Sequence, residues 1–241
     1  GKIIQLQLSD IKDKVSSLPL NKQKEILDLL YALEDAKGRE KAKEHFLPFV
    51  RMMWPGFIGG KHHKVMADAF EQVAKGELKR LIINMPPRHT KSEFASYLFP
   101  AWFLGMYPEK KVIQTAHTAE LAVGFGRKVR NLIQNEDFQK VFSGVNLSSD
   151  SKAAGRWNTN KRGDYFAIGV GGAVTGKGAD ILIIDDPHSE QDAATGAYNP
   201  EVFDKVYEWY TSGPRQRLQP GGAIIIVMTR WSKRDLTGQI L

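Results

Sequence analysis

Five apolar runs constrain the fold of this chain more than anything else in it. They are RLIIN at 80–84, KKVIQTA at 110–116, YFAIGV at 165–170, ADILIIDD at 179–186 and GGAIIIVMT at 221–229. They are continuous rather than alternating and rich in β-branched residues, the pattern of strands buried on both faces. Helical segments lie between them: KSEFASYLFPAWFLG at 91–105, TAELAVGFGRKVRNLIQN at 118–135 and NPEVFDKVYEWYTSGPRQRL at 199–218. The second opens on a Thr cap with Glu120 in its first turn. SSDSKAAGRWNTNKRGD at 148–164 reads as a polar loop or hairpin. Strands alternating with helices predict an α/β fold, a mainly parallel central sheet flanked by helices.

Ahead of the first strand, Ile26, Leu29, Leu30 and Leu33 fall at helical spacing, and EDAKGREKAKEH at 34–45 reads as solvated helix or linker. Residues 1–45 are expected to form a small N-terminal helical appendage, and 46–241 the main domain. LPFVRMMWPGFIGG at 47–60 reads as a loop. Residues 62–75 read as a helix with Val65, Met66, Ala69, Phe70 and Val73 inward, and with His62 and His63 starting it rather than binding metal. No apolar run approaches the roughly 20 residues of a membrane span, and the N-terminus lacks a signal peptide's apolar centre. Cysteine is absent, which excludes disulfides and thiolate zinc sites. These features lead us to expect an intracellular protein with no membrane partner. The net charge of +7 favours an acidic partner such as nucleic acid.

Two stretches compete as a phosphate-binding loop. GGAVTGKG at 171–178 nearly spells one, but Gly178 stands where a hydroxyl is needed and a strand follows. A phosphate loop must leave a strand and open a helix, whose free N–H groups and positive dipole end meet the anion. MPPRHTKS at 85–92 does both, although Met85 and Thr90 replace the usual glycines. The candidate cradle is therefore Pro86, Pro87, Arg88, His89, Thr90, Lys91 and Ser92. Lys91 takes the phosphate position and Ser92 the Mg2+ position, with Pro86 and Pro87 presetting the turn. ILIIDDPHSE then ends a strand on Asp185 and Asp186. A parallel strand's C-terminal end is where such sheets place ligands. There one carboxylate can hold Mg2+ through water and the next can orient or deprotonate an attacking water. His188 reads as a loop residue that caps or packs.

INMPPRHTKSE, GADILIIDDPHSE and GGAIIIVMTRWSKRDLTG together resemble the large subunit of phage terminases, the DNA-packaging motors. The resemblance covers roughly residue 46 to the C-terminus. It implies a P-loop NTPase fold, with the first stretch as Walker A loop, the second as Walker B and the third as a coupling motif. Carried over by position, Lys91 and Ser92 bind phosphate and Mg2+, and Arg88 senses the γ-phosphate. Asp185 is the Mg2+-associated acid and Asp186 the catalytic base. Thr229 couples nucleotide state to movement, and Arg230 reads phosphate or DNA. Asp186 stands where many members have Glu, a base one methylene longer. Thr175 and Gly176 stand where many have Arg-Gly, leaving Lys177 as the cation that this loop offers to a neighbouring subunit's nucleotide, with a flexible loop that only joins two strands as the alternative. Phe49, Trp54 and Phe57 are candidates for stacking on adenine, with core packing as the alternative.

The resemblance implies an ATPase that drives double-stranded viral DNA into a procapsid, with ATP and Mg2+ as cofactors. It implies portal protein and small terminase subunit as partners, a homo-oligomeric ring when assembled, a monomer in isolation, and the host cell cytoplasm as location. The chain stops soon after the third motif, so the family's nuclease domain is expected to be absent. Competing readings are a helicase-like or remodelling ATPase on nucleic acid, and a non-hydrolysing DNA-binding or assembly scaffold with a degenerate loop.

Overall fold

The computed structural model of the chain describes residues 8–86, 90–151, 153–174 and 178–241. It divides into two units, Gly1–Lys41 and Ala42–Leu241. The first contains α1 (Leu8–Ser16) and most of α2 (Leu20–Glu44). The Gln23 amide donates to the Leu18 and Ser16 carbonyls across the turn between them. No side chain from 12 to 41 is buried.

The second unit opens with α3 (Phe46–Met53) and α4 (Lys61–Ala74), followed by β1 (Arg80–Asn84). A π-helical segment (Glu93–Leu98) runs into α5 (Phe99–Met106), and β2 (Lys111–Ala116) follows. Next come α6 (Ala119–Ile133), α7 (Glu136–Val141), β3 (Arg156–Asn158), β4 (Asp164–Gly169) and β5 (Ala179–Asp185). The chain ends with α8 (Glu190–Gly196), α9 (Glu201–Ser212), a 3-10 turn (Pro214–Arg217), β6 (Leu218–Met228) and α10 (Leu236–Ile240). The six strands form one sheet in the order β1-β6-β5-β2-β4-β3. Every pairing is parallel except the β3–β4 hairpin. The mainly parallel α/β architecture expected from the apolar runs is present.

Successive strand residues point to opposite faces, and each face has its own core. Val112, Ala167, Ile181, Ile183, Ala223, Ile225 and Val227 pack with residues of α3 to α7. Ile113, Ile168, Leu182, Ile184, Ile224, Ile226 and Met228 pack with Val206 and Tyr210 of α9 and with Leu236. This two-sided burial explains why the strands read as continuous apolar runs.

Several local expectations are corrected. The stretch at 47–60 is not all loop, because its first half is α3. Phe46, Phe49, Val50 and Met53 share one face, and Pro48 lies in the first turn, where a missing N–H costs nothing. In α4 the inward stripe runs His63, Met66, Ala67, Phe70 and Val73, so Val65 faces outward, 69% exposed. The helix expected over 91–105 is π-helical from Glu93 to Leu98. Pro100 cannot donate back to the Ser96 carbonyl and its ring crowds that oxygen, and the turn ahead of it is widened. The helix expected over 199–218 ends at Ser212, since Gly213-Pro214 cannot continue it. Thr118 caps α6 as expected, accepting from Leu121 N at 3.2 Å.

Candidate active site

Strand register puts the C-terminal ends of four strands side by side. Asn84 pairs with Met228, Val227 with Asp185, and Asp185 with Ala116. β6 lies between β1 and β5, so the segments leaving β1 and β5 start about 10 Å apart, two strand spacings. A lysine side chain spans much of that gap.

Asp185 is in phase with Ile181 and Ile183 and points to the face carrying the π-helical segment. It is 3% exposed and accepts two hydroxyls. Ser92 Oγ donates to its Oδ1 at 3.0 Å and Ser96 Oγ to its Oδ2 at 2.6 Å. Burial pushes this carboxyl up to about 7; the Asp186 charge adds to the rise, and the hydrogen bonds from Ser96 and Ser92 and the Lys91 charge oppose it. Ser96 Oγ accepts in turn from Gln114 Nε2 at 2.9 Å, on β2 next door.

Asp186 follows with φ +39°, a left-handed conformation that turns its side chain away from Asp185's face. Its Oδ2 lies 3.4 Å from Lys91 Nζ, and its Oδ1 accepts from Thr229 N at 3.0 Å. Its carbonyl accepts from His117 Nδ1 at 3.2 Å, and its N–H donates to Val227 O. Lys91 is buried, while the Asp186 side chain is about one-third exposed. Thr229 Oγ1 donates to Met85 O at 3.2 Å, tying the exit of β6 to the exit of β1. A cleft of about 320 Å3 opens beside them, lined by Asn84, Met85, Pro86, Thr229 and Arg230.

Lys91, Ser92, Asp185, Asp186 and Thr229 thus lie together at one end of the sheet. Pro86 lines the cleft, and Thr90 is held from behind by α4. His63 Nδ1 accepts from Gly60 N at 2.9 Å, so Nε2 carries the proton that meets Thr90 Oγ1 at 2.6 Å. Pro87, Arg88, His89, Thr175, Gly176 and Lys177 lie outside the described residues. Arg230 Nε is engaged by Asp235, at 3.1 Å from Oδ2. His188 packs and caps: its Nε2 accepts from Leu236 N at 2.9 Å, at the start of α10, and its ring meets Phe203 edge-on. Phe49 is fully buried against Phe46, Phe138 and Phe142, which leaves it no face for a base. Trp54 and Phe57 are partly buried and lie against each other. Ser96, Gln114 and His63 were not singled out as site residues from the sequence. The available signals were the Ser92/Ser96 spacing of four and a glutamine inside an apolar strand.

The oxygens of Ser92 and Asp185 are the donors that a hard cation such as Mg2+ takes. Among the described residues no group of three or more His, Asp or Glu is placed to hold a metal.

Fold and site together define an α/β domain that gathers a lysine, a serine and two aspartates at the C-terminal edge of a mainly parallel sheet. The chain is similar in sequence to the large subunit of a phage terminase. It is 25% identical over 170 residues to the terminase large subunit of Enterobacteria phage T3, covering 69% of this chain and 29% of that protein. The chain therefore spans less than a third of that relative's length. No family model matches. Among solved structures, the large terminase of bacteriophage HK97 overlays with a TM-score of 0.46 at 14% identity, over 75% of this chain and 35% of that one. An ATPase-domain mutant of the large terminase of Thermus phage P74-26 overlays with a TM-score of 0.44 at 11% identity, over 75% and 68%.

Proposed function

We propose that this chain is a Mg2+-dependent ATPase domain whose hydrolysis drives double-stranded DNA into a procapsid. The observation that carries the reading is the convergence of Lys91 and Ser92 with Asp185 and Asp186, some 93 residues on, through a 3.0 Å bond and a 3.4 Å ion pair. The similarity to a terminase large subunit supports it.

ATP enters the cleft beside Pro86 and Thr229. Lys91 exchanges Asp186 for the β- and γ-phosphates, where its charge offsets that of the triphosphate. Asp186, still fixed by Thr229 N, is then open to water and accepts the proton of the water that attacks the γ-phosphorus as the bond to the β-phosphate oxygen breaks. Ser92 and Asp185 would hold Mg2+, which screens the phosphate charge when bound. The Thr229 bond to Met85 O lets a change at Asp186 reach the base of the phosphate loop. By the sequence resemblance, Arg88 and His89 belong to the phosphate loop and Arg88 has the role of γ-phosphate sensor. Lys177 serves a neighbouring subunit's nucleotide within a homo-oligomeric ring. A small terminase subunit and a portal protein complete the machine, in the host cytoplasm.

Phosphate release with Mg2+, ATP and duplex DNA tests the reading. The parent turns over, and Lys91→Ala loses about 10²-fold or more. A parent that binds ATP but releases no phosphate, with or without DNA, would favour a non-hydrolysing scaffold. Mixing Lys91→Ala with Lys177→Ala subunits tests the cation in trans. Restored activity in the assembled mixture supports it, and none in a co-assembled mixture removes it.

A further inference from the structure

We propose that Ser96, held in place by Gln114, is the positioning residue of the metal-side carboxylate Asp185. The inference rests on the reading of Asp185 as the Mg2+-associated acid. Asp185 has two oxygens and, in this structure, two hydroxyl donors. They differ in what metal binding would ask of them. Ser92 is itself expected to turn its oxygen to the ion, so its bond to Asp185 Oδ1 is exchangeable. Ser96 has no such second task. It is fully buried, one turn along the same helical face, and makes the shorter bond, 2.6 Å to Oδ2. With Oδ2 fixed, Oδ1 is the oxygen left facing Ser92 and the ion.

Ser96 is oriented rather than merely near. A hydroxyl has one proton, and the Gln114 amide decides where it goes. Gln114 Nε2 donates to Ser96 Oγ at 2.9 Å, so the serine proton is free to be given to Asp185. Gln114 is fully buried in β2, in phase with Val112 and Ala116, and therefore faces the π-helical segment. A glutamine in the middle of a sheet is a costly choice unless its amide is used, and its Oε1 has no hydrogen-bond partner among the described residues. The widened turn ahead of Pro100 carries Ser96 itself. The chain Gln114–Ser96–Asp185 thus crosses from a central strand, through the helix after the phosphate loop, to the end of β5.

The test is a Mg2+ titration of the binding of a fluorescent ATP analogue, run beside the Mg2+-free affinity. Ser96→Ala is expected to raise the half-saturating Mg2+ concentration about tenfold, as loss of a supporting group behind a metal ligand does. The Mg2+-free affinity should stay within about twofold. Gln114→Met, which keeps the volume and loses the donor, should shift the Mg2+ requirement in the same direction by less. The double variant should be no worse than Ser96→Ala alone. An unchanged Mg2+ requirement in Ser96→Ala, or an equal loss of Mg2+-free binding, overturns the proposal. If Ser96→Ala does not fold, Gln114→Met carries the same test, and an unchanged requirement there overturns it. Asp185→Ala separates the two levels. If that variant keeps the parent's Mg2+ requirement, the assignment of Asp185 has failed; if it loses it while Ser96→Ala does not, only the positioning role has.

Discussion

At position 186 the backbone has φ +39°, a region that Asp and Asn enter more readily than other L residues. A glutamate would be more strained there, so the local turn favours the shorter acid. Asp186→Asn keeps the turn and an acceptor for Thr229 N but removes the proposed base and the charged partner of Lys91. ATP should bind it at least as tightly as the parent, with turnover lower by about 10²-fold or more; near-parental turnover would move the base elsewhere, with Glu190 next. Asp186→Glu should cost about 1 kcal/mol in urea unfolding, and equal stability would show that the turn relaxes freely. Asp185 makes a separate prediction about pH. Its carboxyl is raised to about 7 in the fold, above its ordinary value, so the fold favours the protonated form. That contribution is full below about pH 4 and is lost as pH rises through 7. Without metal, the unfolding free energy of the parent relative to Asp185→Asn should fall from pH 5 to 7 and then level off. A flat difference would mean that the carboxyl titrates normally.

Among the elements, α4 anchors a loop that lacks its usual glycines. His63 reaches from its first turn to Thr90, the residue just before Lys91, and is packed edge-on by Phe57. His63→Leu, which removes Thr90's partner in a part-buried hydrogen bond and loosens the residue before Lys91, should weaken ATP binding up to about tenfold. His63→Leu combined with Thr90→Val should be no weaker than the worse single variant; additive losses would place the two residues in separate roles. This anchor also shows where sequence reading ends. The five strands and the Lys91 and Asp185 motifs were legible because each is a local pattern: an apolar run, a loop between strand and helix, two acids at a strand's end. The sequence of α3 reads as loop because Pro48 and Trp54-Pro55-Gly56 look like breakers, although Pro48 falls where a helix tolerates it. The bonds from His63 to Thr90, Ser96 to Asp185 and Gln114 to Ser96 join residues 27, 89 and 18 positions apart and leave no periodic trace. Only the assembled sheet brings them together.

For the whole molecule, the division at Lys41 and Ala42 leads to a prediction about what the first unit contributes to the chemistry. Every buried apolar side chain among the described residues comes from Ala42 onward, and so does every candidate site residue. Ala42 itself is needed, because its carbonyl accepts from the buried Trp102 Nε1 at 3.0 Å. A chain beginning at Gly38 keeps that carbonyl and the last turns of α2. Residues 1–37 carry six lysines and six carboxylates, so the net charge of +7 resides in what remains. The shortened chain should melt within about 3 °C of the parent, the shift expected for less than about 1 kcal/mol in a domain of this size. It should hydrolyse ATP at the parental rate per molecule. Its affinity for duplex DNA should fall with rising salt along the parental slope, since that slope counts the phosphates neutralised by lysine and arginine. A drop of 10 °C or loss of nucleotide binding would show that residues 1–37 belong to the core of the folded domain. A shallower salt slope with normal hydrolysis would instead place part of the DNA contact in the first unit, on lysines whose charge is balanced in sequence but not on the surface.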